Sequence, residues 1–529
     1  MNMFDRAVAY VAPAAGMRRA AARLALDQYR AYDGAKMGRR TDGWRATNAS
    51  ANVEVKAALH TLRARSRDLT RNTWWGTRIK TVTVAHAVGT GIMPKPNTGS
   101  KTLDKKAKAA WKKWSKHCDR EGQLNFSGLL ALAAGSVIEA GEVLGHMVPV
   151  SPRSKPRGVV PLELQLLEPD HLDASRDRVM MSGKARAQID AEAIIIDQGI
   201  EYDLVGKRRA FWIHPQHPGA RGLVMPTISV RVPASDMLHV YRKDRIGQGR
   251  GVPWLAPVML TGRDFADLQE AIVVKSRIEA CLAAFVKTSG TNRNLGQLEE
   301  QRRGAMNGSR RIETIAPGMV AYLEQGEEIQ TIAPSGSMQF EGVLRSTLQA
   351  MAAGAGLTYD QLTGDLTRAN FSSLKAGKIE FRRVIEQFQY LTLVAMFLEP
   401  LWDRWCEMAM DAGILPRRAD GYPVEWIMPA NEPIDPMKEM QADILAVRSG
   451  RMTWQDFVLA WGIDPDVQMD QIAEWFAELD KRNIVLDTDP RNALQSTKGG
   501  AAPEAQTEVN QNVKQDGGSK AAGKKAAGK

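Results

Sequence analysis

Cysteine is scarce in this chain of 529 residues, with three in all, Cys118, Cys281 and Cys406. They lie far apart and are odd in number, which argues against a disulfide framework and fits a reducing compartment. Long apolar runs are missing too. No stretch approaches about 20 uninterrupted apolar residues, so the sequence predicts no membrane span. The apolar start AVAYVAPAAG is short and runs into MRRAAAR, which is not the pattern of a secretory signal. The motifs of familiar chemistry are also absent, with no G-x-S-x-G, H-E-x-x-H or C-x-x-C. HPQHP sets His214 and His217 three apart, but no cysteine or second histidine pair lies nearby in sequence to complete a zinc site. GDLTRAN offers Asp365 alone, whereas a two-metal nuclease needs several converging carboxylates. The sequence therefore predicts no catalytic residue, no metal ligand, no cofactor and no enzyme activity.

Acidic residues are short at one end. Residues 1–120 hold 25 Lys and Arg against 8 Asp and Glu, while the whole chain carries a formal charge of +11. A basic end on a mildly acidic remainder fits contact with a nucleic acid, and it equally fits a solvated surface. With 44% apolar residues the chain can bury a substantial core, and its length suits two to four domains of about 150 residues.

YRKDRIGQGRGVPWL, residues 241–255, crowds basic side chains, glycines and a proline together. A phosphate loop needs Gly-Lys-Ser/Thr at its end, and a dinucleotide loop needs G-x-G-x-x-G. Neither is present, since Gly247, Gly249 and Gly251 alternate and a proline follows. The stretch reads instead as a turn that sets the direction of the segment after it.

Periodicity predicts an α+β chain, mainly helical. A short helix is expected near 18–30 within a flexible basic arm, 1–50. A helical pattern follows over 52–87, with Val55, Leu59, Leu62, Leu69 and Ile79 in phase. GTGIMPKPNTG breaks it. KTLDKKAKAAWKKWSKHCDREG is a basic helix with Trp111 and Trp114 on one face. Those indoles could stack on bases, or they could anchor the helix to a core. Residues 126–141 are helical, and 142–240 read as β-rich, with a hairpin turning at Gly206. One long helix is expected over 252–287, then a Gly-, Ser- and Arg-rich projection over 288–337 with a strand or two in MVAYLEQGEEIQTIA. Helices follow at 338–354 and from a serine cap at Ser373 to Ala412, interrupted at Pro400. Shorter ones follow at 435–449, 453–461 and 465–480. From about Asn492 the composition cannot build a core and predicts disorder.

Several separated stretches, in order, carry a resemblance. They are RARSRDLTRNTWW, VGTGIMPKP, YRKDRIGQGRGVPWLAPVMLTGRDFADLQEA, PGMVAYLEQGEEIQ, AGAGLTYDQLTGDLTRANFSSLKAG and EPIDPMKEMQADILAVRSGRMT. Together they resemble the lambda-type portal proteins of tailed bacteriophages across nearly the whole ordered length. The resemblance implies a portal fold with wing, stem, clip and crown, assembled as a dodecameric ring around a channel for double-stranded DNA. Carried onto this chain, it gives a flexible arm (1–50), a wing (51–251), a first stem helix (252–287) and a clip (288–337). A second stem helix (338–362), a tunnel loop (363–373), a long wing helix with its return (374–430), crown-like helices (431–490) and a tail (491–529) complete the chain. Asp365, Arg368 and Asn370 would sit in the tunnel loop. Arg263, Lys275, Arg277 and Lys287 would be stem charges, some facing the lumen, offset by Asp264, Asp267, Glu270 and Glu279. Implied partners are terminase, capsid or scaffold proteins and head–tail connectors, with no membrane. The implied location is the virion, and the host cytoplasm during assembly. Two rival readings stand beside this one. One is a metal-dependent nuclease or other DNA-processing enzyme, the other a non-viral DNA-binding scaffold.

Overall fold

A computed structural model describes residues 10–29, 39, 42–43, 46–180, 194–203, 205–220, 228–281, 285–286, 321–322, 338–430, 432–486 and 489. The described chain divides into two units, Met1–Ala442 and Asp443–Lys529.

The first unit opens with helix α1 (Pro13–Tyr29), five residues earlier than the periodicity suggests. The pattern over 52–87 becomes two helices, α2 (Ala51–Asn72) and α3 (Trp74–Val88). Thr73 separates them in extended conformation, and its hydroxyl accepts a hydrogen bond from the Gly76 amide to cap α3. Residues Leu59, Arg63, Ser66 and Thr70 form the buried ridge of α2, at steps of four and three. After strand β1 (Met93–Pro96), helix α4 (Lys101–Trp114) turns Ala107, Ala110, Trp111 and Trp114 inward. Helix α5 (Phe126–Ala140) is apolar nearly all round and lies in the core.

The β-rich segment holds two antiparallel sheets. Strand β2 (Glu142–Pro149) lies between β3 (Leu162–Leu167) and β9 (Met237–Tyr241). The second sheet runs β4 (Arg178–Met180), β5 (Ile194–Asp197), β6 (Ile200–Tyr202), β7 (Arg208–Ile213) and β8 (Val230–Pro233) in sequence order. The expected hairpin is β6–β7, with Ile200 opposite Phe211 and Gly206 at φ +89° in its turn. Leu144, Leu172, Ile200, Phe211, Ile213 and Met237 form the apolar layer linking the sheets.

The long helix expected over 252–287 is shorter in the structure. Helix α6 spans Met259–Cys281, preceded by a 3₁₀ turn at Ala256–Val258. Pro253 and Pro257 cannot donate to a helical ladder. Residues 253–255 are instead tied down from outside: the Trp254 amide donates to Ile138 O at 3.0 Å and its indole to Ala355 O at 2.8 Å. Past the end of α6, β10 (Phe285–Val286) pairs in parallel with β11 (Ala321–Tyr322). The rest of the expected projection, 288–337, lies outside the described residues.

Helix α7 (Met338–Gly354) and the short α8 (Tyr359–Thr363) follow. Helix α9 (Phe371–Phe388) is capped by Asn370 rather than by a serine. The Asn370 carboxamide accepts from the Ser373 amide at 2.8 Å, and the Ser373 hydroxyl accepts from the Asn370 amide at 3.1 Å. Helix α9 runs into a π-helical stretch, Gln389–Leu398, and then α10 (Glu399–Asp411). The expected break thus falls before Pro400, which occupies the first turn of α10 where its missing N–H costs nothing. Strand β12 (Val424–Ile427) closes back on β1.

The centre of the first unit is a cluster of indoles. Trp402 and Trp405 stack at 5.1 Å, and Trp111 packs against both at 5.2 Å. Trp114 is fully buried and donates its indole N–H to Leu162 O at 2.8 Å. Trp111 and Trp114 therefore anchor α4 to the core, which removes them as stacking platforms for bases.

Helix α11 (Pro436–Arg448) carries the boundary between the units. Asp435 accepts from the Lys438 amide at its start. In the second unit, Thr453 and Asp456 form a capping box for α12 (Trp454–Ala460), and Asp464 caps α13 (Pro465–Arg482). Lys481 and Arg482 in the last turn complement the helix dipole. The predicted tail from 491 lies outside the described residues. Among those described, no helix is long and apolar enough to cross a membrane.

Candidate channel surface and its charged hinge

The stretch YRKDRIGQGRGVPWL folds as a hinge between β9 and α6. Two glycines make it possible. A Cβ on Gly251 would stand 2.1 Å from the Gly141 carbonyl oxygen, and one on Gly141 would stand 2.6 Å from the Val252 carbonyl carbon. Only hydrogen fits between these two backbones. Buried Gln248 organises the loop from within. Its carbonyl accepts from the amides of Asp244 and Arg245, and its NH₂ donates to Arg250 O at 2.8 Å.

The arginines of this loop are spoken for. Arg242 pairs with Asp244 at 2.8 Å and lies over the Trp254 ring at 4.6 Å. Arg245 pairs with Glu54 at the start of α2. Arg250 is buried and faces Glu142, at 2.6 Å from Nη2 to Oε1. Glu142 is fully buried and accepts from Arg63 at 2.8 Å, from the Gly251 amide at 2.9 Å and from His239 at 2.8 Å. Burial alone would push the Glu142 carboxyl up, but Arg250, His239 and Arg63 hold it well below the usual carboxylate range. Burial pulls His239 down to about 4, against the opposing pull of Glu142. A neutral His239 donating from Nε2 explains why its buried Nδ1 has no hydrogen-bond partner. This knot joins α2, β2, β9 and the hinge. It was not legible in the sequence, because Arg63, Glu142, His239 and Arg250 come from different elements and no spacing along the chain pairs them.

From the hinge, α6 runs out beside α7. Gly262 lets α6 meet Trp75, where an added Cβ would come within 2.3 Å of the indole, and Phe265 lies edge-on to Trp74 at 6.3 Å. Arg263 and Arg277 are exposed on α6. Lys275 is half-buried, its ammonium 4.7 Å from the Phe340 ring of α7. Asp264, Asp267 and Glu270 interrupt this basic set on the same helix. Lys287 lies outside the described residues.

The segment joining α8 to α9 holds the other predicted residues. Thr358 and Gln361 form a capping box at the start of α8, and Gly364 ends it in left-handed conformation at φ +74°. Asp365 folds the following turn. Its Oδ1 accepts from the Thr367 hydroxyl at 2.6 Å and the Thr367 amide at 3.0 Å, and these bonds lower its pKa. Asn370 caps α9. Asp365 and Asn370 thus have local structural work. Arg368 is exposed and reaches Glu341 on α7 at 3.0 Å, an open ion pair that salt screens. Arg78 on α3 donates to Gln361 O at 2.9 Å, so the base of the loop is tied to α3.

One trio of described residues has metal-ligand geometry, Glu168, Asp170 and His217. Arg67 already bonds both carboxylates, at 2.7 and 2.5 Å, so a guanidinium neutralises the charge a cation would seek. The HPQHP pair divides, with His217 near Glu168 and His214 near Asp173. The two buried cysteines with described side chains, Cys118 and Cys406, are free thiols. Burial raises both, Cys118 to about 12, so neither is an activated nucleophile.

The arrangement is that of a structural protein whose polar groups are spent on holding helices and sheets in place. The chain belongs to the phage portal protein family, lambda family, which its residues 37–389 match. That family is structural, not enzymatic. A probable portal protein of Halomonas phage phiHAP-1 is 24% identical over 473 residues, covering 84% of this chain and 86% of that one. Among solved structures, a chain from the neck of a native GTA particle computed with C12 symmetry shares 14% identity at a TM-score of 0.39. It covers 76% of this chain and 94% of that one. A chain from the neck of an empty GTA particle computed with C6 symmetry shares 15% at 0.40, with the same coverage.

Proposed function

We propose that this chain is the repeating subunit of a twelve-membered ring that forms a DNA channel at one vertex of a phage capsid. Terminase drives double-stranded DNA through the ring during packaging, the DNA leaves by the same route at ejection, and head–tail connector proteins attach there. The protein assembles in the host cytoplasm, with capsid or scaffold proteins as further partners, and resides in the virion. The observation that carries this reading is the family match over residues 37–389, which spans the hinge, α6, α7 and the α8–α9 loop.

In this reading residues 51–251 are the wing, α6 and α7 the stem, 288–337 the clip, 363–373 the tunnel loop and 431–490 the crown-like part. The mechanism is positional. Each fixed phosphate contact adds affinity that sliding must break. Basic side chains along the channel therefore serve best when weakly held and interspersed with acids, as Arg263 and Arg277 are with Asp264, Asp267 and Glu270. Arg368 fits a loop contact of the same kind, since its partner Glu341 is exposed and exchanges readily with solvent. Lys275 and Lys287 complete the set of candidate stem charges.

Light scattering on the purified full chain tests the assembly. Twelve copies of a 58.3 kDa chain give a particle of about 700 kDa. A species of that order is expected; only monomer or dimer under all assembly conditions contradicts the reading.

A further inference from the structure

An open cavity of about 770 Å³ lies between the hinge and the β6–β7 hairpin. Its walls come from three places: Asn52 at the start of α2, Tyr202, Lys207 and Arg208 of the hairpin, and Tyr241 and Lys243 where β9 enters the hinge. These pieces are fastened to one another. The Gly249 amide donates to the Asn52 carboxamide oxygen at 2.7 Å, and a Cβ on Gly249 would stand 2.8 Å from the Tyr202 hydroxyl oxygen. The Tyr241 hydroxyl donates to Gln248 O at 2.9 Å and accepts from Arg208 at 2.7 Å. The walls are thus held in place by their own chain, which lowers the ordering cost of binding.

The cations of this cavity lack acids. Arg208 is half-buried, yet its hydrogen bonds go to the Tyr241 hydroxyl and to Gly249 O at 3.3 Å rather than to a carboxylate. Its Nε is buried with no hydrogen-bond partner. A guanidinium drawn out of water normally meets an acid. Exposed Lys207 and Lys243 make no ion pair among the described residues either. The two acids in the wall are engaged elsewhere. Asp197 faces Lys56 at 3.9 Å, and Asp203 Oδ1 accepts from the amides of Val205 and Lys207, which closes the hairpin turn.

The two most exposed large apolar side chains among the described residues, Ile246 and Val205, stand at this same cavity. Val205 lines it from the hairpin tip, and Ile246 precedes Gly247, which lines it from the hinge. We infer that the cavity is a docking site for an extended segment of a partner protein that brings one carboxylate to Arg208. Lys207 and Lys243 flank that carboxylate, and apolar residues beside it cover Val205 and Ile246. Tyrosine, arginine and apolar anchors are what protein interfaces concentrate. A phosphate backbone would gain nothing from Val205 and Ile246, and it would meet Asp197 and Asp203 in the wall. This goes beyond the channel reading and does not rest on it, because every residue involved lies in one chain.

Selection from a library of random short peptides on the purified full-length protein tests this. Enriched sequences should carry an aspartate or glutamate with apolar residues beside it. Fluorescence polarisation then gives the Kd of the best peptide. Arg208→Gln should weaken it at least about tenfold, since the peptide carboxylate would be left without its desolvated partner. Lys207→Gln with Lys243→Gln should weaken it about threefold, and Ile246→Ser by a similar factor. Lys113→Gln, on α4, should change nothing. Lys207, Lys243 and Ile246 are exposed, so their variants should fold even where Arg208→Gln does not; circular dichroism checks each. No enrichment, enriched peptides without an acid, or unchanged affinity in the folded variants overturns the inference. So does a short DNA duplex that binds through these residues in place of any peptide. Loss of self-association in the double lysine variant overturns it as well, since the cavity would then be a contact between copies. Peptide binding is read whether or not rings form, so absence of rings would sink the channel reading alone.

Discussion

Glu142 shows what a single side chain must do here. Its carboxylate is fully buried, and it gathers two guanidinium groups, an imidazole and a backbone amide. Removing such a charge from water is tolerable only because each of its lone pairs is met. His239 is the titratable weak point. In the unfolded chain it takes up a proton near 6.5, in the folded one only near 4. Between those values the unfolded chain binds more protons, so stability falls as the pH drops from 6.5 towards 4. The gap is worth about 3 kcal/mol at full extent. Denaturation midpoints measured across pH 4–7 should decline towards acid, and His239→Gln should flatten that decline; equal slopes in the two proteins contradict it. None of this was readable from the sequence. A basic run beside glycines gives no hint that one guanidinium, that of Arg250, turns inward to a carboxylate 108 residues away. Asp365 and Asn370 have local roles that the sequence did not announce. They stand in the predicted loop, but their side chains are engaged in a turn and a cap. Of the three, Arg368 keeps an exposed charge.

At the scale of elements, glycine decides where helices can start and how closely they pack. Gly251→Ala places a methyl 2.1 Å from a backbone oxygen that cannot move without shifting β2 or the hinge. It should yield insoluble protein or a thermal midpoint lowered by many degrees. Gly342 in α7 has nothing within 4 Å of an added Cβ. Gly342→Ala should leave the fold intact and raise stability by up to about 1 kcal/mol, since alanine is the better helix former. Matched thermal melts of the two variants check both, and a tolerated Gly251→Ala would remove the hinge argument. Helices were legible where an apolar ridge repeats, as in α4, α7 and α13. Their ends were less so. The start of α6 at Met259 rather than at 252 depends on Trp254 reaching Ala355, a contact across 101 residues. The π-helical stretch at Gln389–Leu398 buries Leu393, Val394, Phe397 and Leu398, and no periodicity announces it. The split between α2 and α3 turns on one extended threonine.

On the scale of the whole molecule, the first unit is built as a support. The indole cluster locks α4, α5 and α10 together, the charge knot locks the sheets to α2 and the hinge, and α6 leaves from that rigid base. A hinge fixed by buried ions and glycines suits the proposed ring, in which each subunit would present a helix pair at a set angle to identical neighbours. The fold class and the family were legible, because many short stretches in the right order had to match together. The proposed ring would be a property of several chains, which one chain's periodicity cannot express. The most direct test is a reconstruction of the assembled full-length protein by electron microscopy. The account predicts an annular particle with an open bore wider than the roughly 20 Å of a B-form duplex, the 363–373 loop projecting into it and α6 and α7 forming its wall. A particle with no open pore, or one whose bore is lined by other elements, would contradict it.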